Sequence, residues 1–127
     1  MLGSAIDTVT YWMPPSDHSM LTDHLDAGWE DFESEKFGDA EAHFTAALDL
    51  HADDVTCLYS RARVRNRLDD LPGALADISR AIELVLDPDY YEFRSVIHAR
   101  LGNEKQAEAD RRMANALRAR TGTQPSP

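Results

Sequence analysis

"LYSRARVRNRLDDLPGALADISRAIEL", residues 58–84, offers two readings of one backbone. Arginines at 61, 63, 65 and 67 alternate with other residues, which is the pattern of a half-buried strand. The second half argues differently. Ala74, Ile78 and Ala81 follow steps of four and three, which line one face of a helix. Asp-Leu-Pro-Gly at 70–73 opens that helix with an N-cap acid and an early proline.

A period running through the chain decides between them. Ala40, Ala74 and Ala107 are 34 and 33 residues apart, and Ala47, Ala81 and Ala114 repeat those steps. Leu50, Leu84 and Leu117 follow each second alanine by three, and Gly28, Ala62 and Ser95 precede each first alanine by twelve. A fixed period of this length marks a supersecondary unit stacked on copies of itself. The internal steps of three, four and seven make each unit a pair of antiparallel helices, with small residues where the helices approach closely. Asp87 followed by Pro88 repeats the start signal of Asp70, and Asn103 with Gln106 has capping-box form. Residues 55–68 are therefore a helix. At about 100° per residue its arginines fall into two stripes, Arg61 with Arg65 and Arg63 with Arg67.

These residues resemble the tetratricopeptide repeat family, whose unit is a 34-residue helix-turn-helix. "AGWEDFESEKFGDAEAHFTAALDL", residues 27–50, supplies Gly28, Ala40, Phe44 and Ala47 at the family's small and large positions. Residues 58–84 supply Ala62, Ala74, Ile78 and Ala81. "YYEFRSVIHARLGNEKQAEADRRMANAL", residues 90–117, supplies Ser95, Gly102, Ala107 and Ala114, but Arg111 stands where a large apolar residue is usual. The resemblance covers about residues 21–120 and implies an all-α, right-handed solenoid of three units, near 21–54, 55–87 and 88–120. They form one domain over 16–120, between an N-terminal arm, 1–15, and a flexible tail, 121–127. Two departures matter. "LVLDPDYY", 84–91, is expected to lengthen the second helix of unit two and shorten the turn after it, and no proline occupies the first inter-unit turn, "LHADD" at 50–54.

Bulk properties narrow the function. At 127 residues, with 43% apolar and 28% charged residues, the chain is one folded domain. A single cysteine, Cys57, excludes an internal disulfide and reads as a packed residue. The N-terminus lacks a basic leader segment and no stretch suits a membrane span, so a cytoplasmic protein is expected. A net charge of −10 argues against nucleic acid, whose binding rests on neutralising phosphates. The charge is uneven: residues 1–54 hold 13 of the 23 acids and only Lys36 among the bases, whereas residues 55–127 hold 12 bases and 10 acids. The last helix carries Glu104, Glu108, Arg111, Arg112 and Asn115, a polar outer face that suits the end of a three-unit stack. At the other end Ile6, Val9, Tyr11, Trp12 and Met13 give the arm two readings, as cover for unit one or the groove, or as a contact for a partner or a second copy.

No chemistry of catalysis is apparent. The five histidines are scattered without a zinc-binding spacing, no glycine loop could cradle a phosphate, and neither Ser60 nor Cys57 has a histidine in register as a base. Neither metal nor cofactor is expected. The resemblance instead implies a non-enzymatic interaction module or adaptor that takes a peptide or a partner's helix in its concave groove. In the family's registers Arg63 and Arg67 face that groove, with Trp29 and Phe32 from unit one, Val96 and Arg100 from unit three, and Tyr59 and Asn66 beside them. Aromatic residues with arginine combine contact area with bidentate carboxylate recognition, which suits an acidic partner. The competing reading pairs Arg63 and Arg67 with Glu30, Glu33 or other acids of unit one. Arg61 and Arg65 are expected to be structural, with stems along apolar surface and guanidinium groups reaching acids such as Asp69. One subset of the family grips chaperone C-termini through a clamp of lysine, asparagine and arginine. The matching positions here hold Leu25, Trp29, Ser60, Asp89 and Phe93, so that activity is rejected. The alternative to an adaptor is a self-associating, homo-oligomeric repeat protein.

Overall fold

A computed structural model describes residues 17–120 of the chain. The arm at 1–15 and the tail at 121–127 lie outside those residues. Six helices follow in order: α1 Asp17–Glu33, α2 Phe37–Leu50, α3 Val55–Arg67, α4 Leu71–Leu84, α5 Pro88–Arg100 and α6 Glu104–Arg120. Each packs chiefly on its neighbours in sequence, so the pairs α1/α2, α3/α4 and α5/α6 stack as a helical-repeat solenoid. The alternating arginines lie on α3, as the period requires. No helix among the described residues is long and apolar enough to cross a membrane.

The helix ends follow from local chemistry. Asp54, Asp70 and Asp87 accept backbone N–H bonds from Cys57, Gly73 and Asp89, at 3.0, 3.1 and 2.8 Å. Such caps satisfy donors that have no partner within the helix. The first inter-unit turn, which has no proline, is thus capped by Asp54 as the second is by Asp87. Asn103 accepts from Ala107 through its backbone carbonyl, while its side-chain amide lies 3.4 Å from His98 Nδ1. The turns inside the three pairs share one closure. Glu35, Asp69 and Gly102 have φ of 60°, 65° and 82°, and the residue after each donates back five positions at 2.8 Å: Lys36 to Asp31, Asp70 to Arg65 and Asn103 to His98. This closure needs left-handed backbone, and only the third turn uses glycine for it.

The expected lengthening of the helix at 84–91 does not occur. α4 has fourteen residues, as α2 does, and Val85 is extended at φ −140° and ψ 130°. Pro88 opens α5 and favours extended backbone at Asp87, so the helix could not have run on through 87, and it ends three residues earlier at Leu84. The turn is shorter, three residues at 85–87 against four at 51–54, and it leaves Leu84, Val85 and Leu86 exposed at 37, 40 and 61%.

Within each pair, small and large residues trade volume. A Cβ on Gly28 would lie 2.6 Å from the Phe44 ring, so glycine is what lets the buried ring approach α1. In the second pair Ala62 and the smaller Ile78 share one buried cluster. In the third, Arg111 turns outward to Glu108, and Ser95 donates to the Glu92 carbonyl.

Two pairs are also tied by buried charge. Arg61 Nε and Nη2 donate to the two carboxylate oxygens of Asp77 at 2.8 Å each, and Arg94 binds Asp110 in the same bidentate manner. Asp77 and Asp110 are only 4% and 5% exposed. Arg65 adds a third donor to Asp77, at 3.1 Å, and also binds Glu41. Arg61 and Arg65 are thus structural, but their acids are Asp77 and Glu41 rather than Asp69. Asp69 sits on the turn at the far end of α3 and binds Arg100 instead. The first pair reverses the polarity: its acid, Asp31, is on α1, and the ring of His43 on α2 meets it at 3.4 Å.

Two outcomes are expected. Asp77→Ala strands Arg61, while Arg65 keeps Glu41, and should lower stability by about 3 kcal/mol in urea unfolding, since breaking a buried pair leaves charge uncompensated. Glu35→Gly should raise stability by about 0.5–1 kcal/mol, because it relieves a left-handed side chain at an exposed turn.

Candidate partner-binding face

Because each pair stacks on the last, α1, α3 and α5 lie side by side, and their contacts show what they present. Trp29 and Phe32 of α1 meet edge to face at 5.3 Å between centroids, and Phe32 meets Phe37 of α2 the same way at 5.4 Å. Trp29 also rests against Phe44 in the core. α3 lays its outer arginines on this aromatic frame. The Arg63 guanidinium carbon is 4.9 Å from the Trp29 ring centroid, 5.4 Å from Phe32 and 5.8 Å from Tyr59. Arg67 sits 4.7 Å from Phe37 and 5.8 Å from Phe32.

The competing pairing of these arginines with Glu30, Glu33 or another acid of unit one is absent among the described residues. Eight of the eleven described arginines have a carboxylate within ion-pair distance, and Arg63 and Arg67 do not. The rings cover the guanidinium faces, and the N–H edges have no acceptor among the described residues. Stacking of this kind orders a cation without neutralising it.

The other half of the face is committed internally. Arg100 donates to the backbone carbonyl of Asn66 at 2.9 Å, to the Asn66 side-chain oxygen, and to Asp69. Asn66 and Arg100 therefore form a strap between α3 and α5 rather than a free contact surface. Tyr59 packs on Tyr90 and Phe93 of α5, at 5.0 and 5.6 Å. Burial pushes its phenol above the ordinary value, with Arg63 acting in the opposite direction. Val96 stands 46% exposed on α5. The eight residues named from sequence thus divide into an open basic and aromatic half, Trp29, Phe32, Arg63 and Arg67, and a half centred on α3 and α5. Phe37 belongs to the open half and was not anticipated. Its only sequence signal is an aromatic residue at the start of α2.

Cys57 is fully buried. Burial first, then the neighbouring Asp54 carboxylate, push its thiol up to about 12, so it stays protonated and unreactive at neutral pH.

No protein-family model and no curated protein matches the chain. Solved structures do. The first TPR of Spaghetti (RPAP3) bound to the HSP90 peptide SRMEEVD superposes with a TM-score of 0.75 at 20% identity, over 78% of this chain and 79% of that one. PcrH, known from Pseudomonas aeruginosa, in complex with the chaperone binding region of PopD gives 0.77 at 23% identity, over 85% and 81%. The Yersinia enterocolitica type III secretion translocator chaperone SycD gives 0.76 at 18% identity, over 80% and 77%. The chain has the tetratricopeptide-type helical-repeat fold of these binding and chaperone proteins.

Proposed function

We propose that this protein is a non-enzymatic adaptor that docks a peptide or helix of a partner protein in a groove along α1, α3 and α5. Trp29, Phe32 and Phe37 supply contact area, and Arg63 and Arg67 supply attraction for acid. One observation carries the reading: in a chain with 23 acids and 13 lysines and arginines, the donor edges of these two stacked arginines meet no acceptor among the described residues. A surplus of nearby acid would neutralise a cation whose only role was packing. Similar structures that hold an HSP90 peptide or the PopD region support the docking mode. A reducing, cytoplasmic setting suits the lone protonated thiol of Cys57.

Self-association is the second reading. Its support is the exposed run Leu84, Val85 and Leu86 at the α4–α5 turn. Light scattering across a concentration series separates the two, since a constant monomer mass removes self-association.

In the test of docking, Arg63→Glu with Arg67→Glu should abolish capture of the partner while helicity by circular dichroism is unchanged. Stability should change by less than about 1 kcal/mol per site, the scale of an exposed cation–π contact. Arg111→Glu with Arg112→Glu, on α6, should leave capture intact. Undiminished capture by the first variant would sink the proposal.

A further inference from the structure

Resting on that reading, we infer that the segment received at Arg63 and Arg67 is an extended acidic peptide with two carboxylates two residues apart, Asp/Glu-x-Asp/Glu, one for each guanidinium. The spacing follows from the helix. Arg63 and Arg67 are four apart on α3, so their side chains leave the backbone about 6 Å from each other. An extended strand rises about 3.3 Å per residue, which puts same-side carboxylates two residues apart at nearly the same separation. Each carboxylate would accept two N–H bonds from one fork.

The rings hold the two cations as separate receptors. Arg63 lies on Trp29 and Arg67 on Phe37, with Phe32 touching both. A helical occupant would need an apolar seam at which helix axes approach to about 8–10 Å. Here the contact of Arg63 with Trp29 places charged groups where that seam would run. The surroundings also exclude a diffuse polyanion. Asp26, Glu30 and Glu33 of α1 are exposed nearby, and the chain's net charge is −10. Only a ligand that sets its charge directly on the two forks gains more than it loses to long-range repulsion.

Fluorescence anisotropy with fluorescein-labelled nine-residue Gly/Ser peptides tests this on the full chain at physiological ionic strength. The probes carry Asp-Ala-Asp, Asp-Asp, a single Asp, Asn-Ala-Asn or a single phosphoserine, and an Ala-based helical peptide carries two Asp four apart. The Asp-Ala-Asp probe should bind at least tenfold tighter than each of the others. Arg63→Gln and Arg67→Gln should each reduce it to the single-Asp level, with no further loss when one Asp is removed from the peptide. Equal affinity for Asp-Ala-Asp and Asn-Ala-Asn, or affinity independent of spacing, overturns the inference while leaving groove docking standing. A preference for the helical or the phosphoserine probe likewise replaces it with that occupant. If no probe binds but partner capture still depends on Arg63 and Arg67, this inference alone fails. If neither is seen, both readings fail.

Discussion

The bidentate bond between Arg61 and Asp77 fixes more than one helix pair. Asp77 is buried on α4 and draws both Arg61 and Arg65 toward it, which sets the rotation of α3 about its own axis. Residues two positions on from each lie about 200° round the helix. Arg63 and Arg67 must then point to the opposite side, over the rings of Trp29, Phe32 and Phe37. One half of an alternating arginine run is spent on holding the fold, and that use aims the other half outward. An α3 turned by even one residue position would leave Asp77 without partners and carry the outer arginines off their aromatic supports.

The exposed half gains from being ordered before anything binds. A free arginine side chain gives up rotamer freedom on association. The rings beneath Arg63 and Arg67 have already restricted it, and they do so without competing for the N–H donors. The Arg100–Asn66–Asp69 strap acts on a larger scale, tying α5 to α3 along the same face. Contacts between α4 and α5 are the sparsest of the five successive interfaces, so that strap holds the third pair where the helix packing is thinnest.

The period in the sequence made the six helices, the stacking order and the caps at Asp70 and Asp87 legible, because each depends on residues close in the chain. The partition of the four arginines was legible for the same reason. Their partners were not. Asp77 is one of two acids on an amphipathic helix, and only the packing of α3 on α4 distinguishes it from a solvated side chain. Arg100 sits at a groove register and Asn66 beside the groove arginines, yet they meet each other through tertiary contact, which local spacing does not encode. Phe37 escaped notice because it belongs to a second helix, whereas the groove registers come from first helices. At 84–91 the apolar run suggested a longer helix, but the backbone turns extended at Val85, before the Asp87–Pro88 start of α5.

The trade between Gly28 and Phe44 has a consequence for how such a chain changes over time. The three pairs share a register, so they look like interchangeable parts, but the volume at the centre of each is divided differently. Phe44 fits only because its opposing helix offers no side chain at Gly28, whereas Ala62 carries a methyl group opposite a smaller residue. Exchanging α1 for α3 would drive that methyl group into a ring already fully buried. Duplication can copy such a unit whole, but recombination inside a unit is closed to it: the helix pair, not the single helix, is the piece that can be inherited independently.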